Sequence, residues 1–350
     1  MKKRNSNIEL LRIISMIMIV LSHYTVHNGV ENYLLPFGIN RYLLEITTLG
    51  NTGVILFILI TGYFSIDKEK IAFKKIFLLV TQTLFYSVTI YLIFCLLGNE
   101  TISMKTIVYN FMPITFKQYW FVTAYLLLYI FIPYINIFLN NLKKEEFKKF
   151  LFINFIIFSI FGIISDLNAS DLTDFIFFYS IGAYIKKYNI IYNKKYRKVL
   201  IISLLMLLLA PLLCDFSQKY IQSAGYFSIY LFSKHSPVNI LFAVSIFIWF
   251  ITLKEFCNKF INYNASLMLG VYLIHDNYYI RGVLWTIILK EYNYVDKGIL
   301  LLHMLVSILL VFTFCCIIEL IRKNTIEKLL IFIYNKLETY IKKRKYITSK

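Results

Sequence analysis

Charge is scarce in this chain. Only 16% of its 350 residues are Asp, Glu, Lys or Arg, 59% are hydrophobic and the mean hydropathy is +0.67, which excludes a soluble domain. The alternating period of a lipid-facing β-barrel strand is also missing, and the apolar runs are too long for such strands, so a barrel is excluded as well. The five cysteines, Cys95, Cys214, Cys257, Cys315 and Cys316, show neither metal-ligand spacing nor a paired framework. They read as small core residues, and no metal is expected. No small-residue cleavage site follows Lys2-Lys3-Arg4, and Arg12 interrupts the first apolar run, so this segment is expected to stay attached as a span. No linker or soluble domain separates the runs. The longest outside loops, near 98–118 and 215–236, are too small to fold alone.

What is present is apolar runs of membrane-spanning length along the whole chain, the pattern of an all-α polytopic integral membrane protein. Ten transmembrane helices are expected, near 8–28, 44–65, 75–97, 119–139, 149–165, 171–186, 198–214, 237–253, 266–288 and 298–321. The fifth, sixth and eighth are short for a span and suited to tilt or to line a cavity. The formal net charge of +18 invites a nucleic-acid partner, but its distribution removes that reading. With alternating spans and a cytoplasmic amino terminus, 28 of the 37 lysines and arginines fall on the inside and 7 outside, leaving only Arg12 and Arg281 within spans. Both termini are therefore expected in the cytoplasm, as for a multi-pass protein of a bacterial cell membrane. Residues 1–323 form the membrane domain. In 324–350, Ile326, Leu329, Leu330, Ile333, Leu337 and Ile341 recur at helical spacing before Lys342-Lys343-Arg344-Lys345, which suits an amphipathic helix anchored on anionic lipid.

The first span, within Arg4 to Gly29, carries an arginine and a histidine. Arg12 and His23 lie about 20° from a common face and about 16 Å apart along the axis. Glu9 can pair with Arg12 at i,i+3, and Ser15 and Ser22 add polar groups near this seam. Ionisable groups at bilayer depth are costly and usually mark a site, although neutralisation by a neighbour and a hydrogen bond to another helix would also account for them.

Further motifs follow along the chain. The second span holds Gly50-Asn51-Thr52-Gly53-Val54 and Thr61-Gly62-Tyr63, whose glycines suit close helix packing as well as ligand contact. The basic turn from Asp67 through Lys74 and Lys75 can fix orientation or bind the phosphates of an anionic cofactor. Trp120, in Tyr119-Trp120-Phe121, suits an interfacial aromatic belt or a stacking surface for a sugar ring. Gly270-Val271-Tyr272-Leu273-Ile274-His275-Asp276-Asn277, with Arg281 beyond, suits the lining of a wet cavity or a cluster of interhelix hydrogen bonds. Together, Arg12 and the basic turn favour a phosphorylated carrier from the cytoplasm, while His23 suits a hydroxyl arriving from the other side. That arrangement fits acyl transfer across a membrane.

In their order and their places on successive spans, Ile8-Glu9-Leu10-Leu11-Arg12 with His23, the Gly50 and Thr61 motifs, Tyr119-Trp120-Phe121 and Gly270 to His275 resemble the acyltransferase-3 family of membrane-bound O-acetyltransferases. The resemblance implies about ten helices, acetyl-CoA or another acyl-CoA as donor, cell-surface glycans as acceptors, and functional roles for Arg12 and His23. The chain departs from the family's pattern at Glu9, where many members have aspartate, and at Lys74 and Lys75, which hold the place of a paired-arginine motif with less bidentate phosphate contact. It departs again at Ala124 and Tyr125, where a glutamate is often found. The expected site comprises His23, Arg12 and Glu9 for catalysis, Arg12, Lys74 and Lys75 for acyl-CoA, and Trp120 and His275 for the glycan. A homo-oligomer or a separate extracytoplasmic partner is compatible with it. The competing expectation is a polysaccharide-intermediate transporter or flippase, which an internal repeat would favour. No convincing repeat relates the two halves.

Overall fold

The computed structural model describes residues 4–27, 35, 38–161, 170–218, 220–221 and 224–348. Among these residues the chain is all-helical. The helices are α1 (Ser6–Val26), α2 (Ile39–Ile46), α3 (Gly50–Ser65), α4 (Phe73–Leu96), α5 (Met104–Phe111), α6 (Trp120–Asn141), α7 (Lys144–Phe155), α8 (Asp171–Lys187), α9 (Lys194–Ser217), α10 (Ala224–Tyr230), α11 (Pro237–Thr252), α12 (Lys259–Ala265), α13 (Met268–His275), α14 (Tyr278–Gly282), α15 (Leu300–Asn324) and α16 (Ile326–Thr348). Short polar side chains start many of them. Asn5 accepts from the Asn7 amide at 3.0 Å, Ser170 caps α8, and Ser236 precedes Pro237, whose missing N–H costs nothing in a first turn.

Six segments are long and apolar enough to cross a membrane: Ser6–Val26, Ile39–Ser65, Phe73–Leu96, Trp120–Asn141, Lys194–Ser217 and Leu300–Tyr340. Their length and composition suit a multi-pass membrane protein. The other four expected spans are shorter or interrupted. α7 passes into a π-helical stretch at Ile156–Phe161, and the end of that expected span lies outside the described residues, as do Asn28 and Gly29 at the end of the first. α8 has 17 residues and α11 has 16. The expected ninth span is divided among α13, α14 and the π-helical Val283–Ile288, because Asn277 caps a new helix within it, and α12, capped by Asn258, stands just before it. α16 has the expected helical form, and the side chains of its basic run at 342–345 lie outside the described residues.

α1 is the hub, packed against α3, α11, α12, α13 and α15. At its amino end the Ser6 amide donates to the Phe256 carbonyl at 2.9 Å and Ser6 Oγ to Asn262 Oδ1 at 2.8 Å. At its other end Tyr24 Oη and His303 Nδ1 share a hydrogen bond of 2.9 Å. Two glycines set how closely α3 approaches its neighbours. A Cβ on Gly53 would collide with the Ser15 carbonyl of α1, and one on Gly62 with the Tyr179 carbonyl of α8. The sequence left packing and ligand contact open for this motif; Gly53 and Gly62 serve packing, while Gly50 also lines the cavity described below.

The outer faces of α9 and α15 expose Ile201, Leu205, Leu209, Leu302, Leu305 and Leu309, as suits contact with lipid. Two clusters of buried charge are paired. Arg41 holds Glu45 at 3.0 Å and Asp215 at 2.6 Å. Glu319 accepts two bonds of 2.8 Å from Arg322, one of 3.1 Å from Gln82 and one of 2.7 Å from Tyr86. Both Glu319 oxygens find donors, whereas Glu45 Oε2 and Asp215 Oδ2 have no hydrogen-bond partner among the described residues; neither cluster lines the cavity described below, and both read as structural.

Candidate active site

A cavity of about 560 Å³ runs beside α1, lined by Arg12, Met16, Ile19, Ser22, His23 and His27 along that helix. These residues share a face because they recur at helical spacing. Lys75, Ser266 and Thr61 close in around the Arg12 end, and Trp120, Asn51, Asp276 and Arg281 around the His23 end, with Tyr125, Phe121 and Tyr272 also on the wall. The polar seam of the first span therefore faces an internal space rather than lipid.

At the far end His23 makes one well-defined contact, with Nδ1 lying 2.9 Å from His275 Nε2. The tautomers follow from the next link. His275 Nδ1 lies 2.6 Å from the Val271 carbonyl, an oxygen that can only accept, so His275 Nδ1 carries the proton. In the neutral ring His275 Nε2 is then an acceptor, and His23 Nδ1–H donates to it. His23 Nε2 is left with a lone pair and no hydrogen-bond partner among the described residues. Asp276 Oδ1 lies 3.7 Å from His23 Nδ1 and 3.3 Å from His27 Nε2. His23, His27 and Asp276 each offer one ligand atom within 4.8 Å of the others, so the same trio has the spacing to hold a metal ion.

At the other end the charge is positive. Arg12, with a third of its side chain exposed, is paired with the buried Glu9 at 3.2 Å. Lys75 lies on the cavity wall. Lys68, in the turn between α3 and α4, donates to Ser65 Oγ at 2.7 Å. Burial first, and then the neighbouring charges of Lys75 and Arg12, pull its pKa down to about 8. Lys323 bonds the hydroxyl of Ser266 on the same rim.

The expected site residues fall into two groups. Arg12, His23, Lys75 and Trp120 line the cavity together. Glu9, His275 and Lys74 do not. Glu9 stands behind Arg12 and His275 behind His23, while Lys74 Nζ turns to Asn335 Oδ1 at 3.5 Å and over the Tyr334 ring at 5.9 Å. Trp120 packs on Phe175, with the ammonium of Lys234 5.3 Å from its ring centre. Burial works against the charge on Lys234, but Asp174 at 2.8 Å and Asp171 at 2.6 Å raise its pKa above the ordinary value. Sequence reasoning gave His27 no role, and it placed Lys68 in the phosphate-binding turn and Asp276 and Arg281 in a cavity-lining segment without naming any of the three as a site residue. The signal for His27 was its i,i+4 spacing from His23, which puts both rings on one face, with centroids 5.0 Å apart. Asp276 supplies a carboxylate to the site, whereas Ala124 and Tyr125 offer none.

A family model described as an acyltransferase domain, that of the acyltransferase-3 family, matches residues 5–320. No curated protein and no solved structure matches. The matched range takes in every residue of the cavity wall and stops short of α16.

Proposed function

The chain belongs to the acyltransferase-3 family, and from that premise we propose that it moves an acyl group, acetyl in the simplest case, from cytoplasmic acyl-CoA to a hydroxyl of a cell-surface or lipid-linked saccharide. The observation that carries this reading is the His23 ring, held by His275 with its Nε2 lone pair free at one end of a cavity whose other end is rimmed by cations.

The geometry suits a long, thin donor. Arg12, Lys75 and Lys68 suit the phosphates of the carrier at the cytoplasmic rim, and its acyl-bearing arm would run along α1 for the ~16 Å that separate Arg12 from His23. In the reaction, the acceptor hydroxyl gives its proton to His23 Nε2 as its oxygen bonds to the acyl carbon. The carbon–sulfur bond then breaks, and the departing thiolate takes that proton. Asp276, 3.7 Å from Nδ1, favours the transient imidazolium. Arg12 is too distant to touch the same carbonyl, so its role is to hold the carrier, and Glu9 fixes its direction. No metal takes part in this scheme, and both termini face the cytoplasm.

The test is mass spectrometry of surface glycan from cells lacking the protein. Loss of acyl esters with the polymer still exported is the expected result; loss of the polymer itself would instead support the flippase reading.

A further inference from the structure

A second cavity, of about 780 Å³ and more open than the first, lies at the His23 end of the molecule and meets the first at two residues, His27 and Arg281. Its walls include Phe94, Tyr278, Tyr279 and Asn99. The aromatic rings are fixed in place. Tyr279 lies 5.3 Å from Phe94 and 6.1 Å from Tyr91, ring centre to ring centre, and its hydroxyl accepts from Asn110 Nδ2 at 3.0 Å. Tyr278 lies 5.3 Å from Tyr279 and has more than half its surface exposed. Rigid aromatic faces beside an amide suit the apolar faces and hydroxyls of sugar rings, and the volume falls within the range of small-ligand sites.

Arg281 lines both the first cavity and this vestibule. It stands where the two cavities join, with one guanidinium face 5.6 Å from the Tyr278 ring centre. It forms no ion pair among the described residues, and the nearby Asp276 is engaged by His27. A guanidinium on the wall of both cavities, at the end opposite the cationic rim, suits an anionic group on whatever enters there. We propose that this vestibule is the acceptor site and that the acceptor is an acidic saccharide, whose carboxylate or phosphate is held by Arg281 so that a neighbouring hydroxyl reaches His23. This rests on the acyl-transfer reading above and adds the chemical class of the acceptor. No bond changes at Arg281; its contribution is orientation.

The experiment uses purified full-length protein in lipid nanodiscs and three probes: a hexuronic-acid oligosaccharide, the same oligosaccharide with its carboxyls reduced to alcohols, and a sugar phosphate. Binding is measured for the wild type, Arg281→Gln and Arg281→Lys, with thermal unfolding as a folding control. At least one acidic probe is expected to bind the wild type 10-fold or more tighter than the neutral one. The preference should disappear in Arg281→Gln, return in part in Arg281→Lys, and weaken with added salt. Whether the carboxylate or the phosphate probe wins identifies the source of the charge. Equal affinity for all three probes, or a preference that survives Arg281→Gln, overturns the proposal. So does competition between free CoA and the acidic probe, which would make Arg281 part of the donor site. Acyl transfer to a neutral acceptor with no charge preference would sink this proposal alone, whereas acidic preference without any acyl transfer would sink the transferase reading.

Discussion

Replacing His275 separates an oriented general base from a histidine that merely lies near the cavity. His275 does not line the cavity, so its effect on turnover must pass through His23. In His275→Ala the Nδ1–H of His23 loses the acceptor it holds at 2.9 Å. Leaving a buried donor without a partner costs about 1–3 kcal/mol, which as a loss of transition-state stabilisation lowers kcat by ~5- to ~150-fold. The lower figure applies if the ring tilts so that Asp276, now 3.7 Å away, takes over the proton. His275→Gln should recover part of the activity, because its amide can donate to the Val271 carbonyl while its oxygen accepts from His23. The assay is acyl transfer from radiolabelled acetyl-CoA by protein in proteoliposomes, with CoA affinity measured in parallel. A fall in kcat with little change in CoA affinity is expected. Full turnover in His275→Ala, or a loss confined to CoA binding, would refute the tautomer argument.

Three further outcomes follow from the same geometry. Because the pKa of Lys68 is pulled down to about 8, its charge is present below that pH and lost as pH rises through it, so CoA binding should weaken above pH 8, and binding titrations of Lys68→Gln should lack that inflection. Gly62→Ala forces a Cβ into the Tyr179 backbone, and overpacking of this kind costs about 1–3 kcal/mol, which a lowered thermal unfolding midpoint in detergent would register. Chelators should leave acyl transfer unchanged if His23 works as a base; loss of activity with EDTA and recovery with a divalent cation would show instead that His23, His27 and Asp276 hold a metal.

The helices and the polar seam of α1 were legible in the sequence because both depend on local periodicity and on the cost of charge in an apolar run. The breaks within 259–288 were harder to see. The one after His275 arises from Asn277 capping a new helix inside an apolar stretch, where side-chain hydrogen bonding competes with helix continuation. Arg12, His23 and Trp120 could be singled out by type and depth. The division of labour between Lys74 and Lys75 could not, since one residue of rotation turns a side chain by about 100° and sends Lys74 toward α16 and Lys75 to the cavity. The link from Val271 through His275 to His23 joins residues 252 positions apart, and no local pattern encodes it.

The most direct measurement is acyl transfer by His23→Ala in proteoliposomes, with CoA affinity determined on the same preparation. Loss of the general base should lower turnover by at least ~100-fold while CoA still binds at the cationic rim. Turnover within a few-fold of the wild type would mean that the lone pair on His23 Nε2 takes no proton, and the mechanism drawn from it would fail.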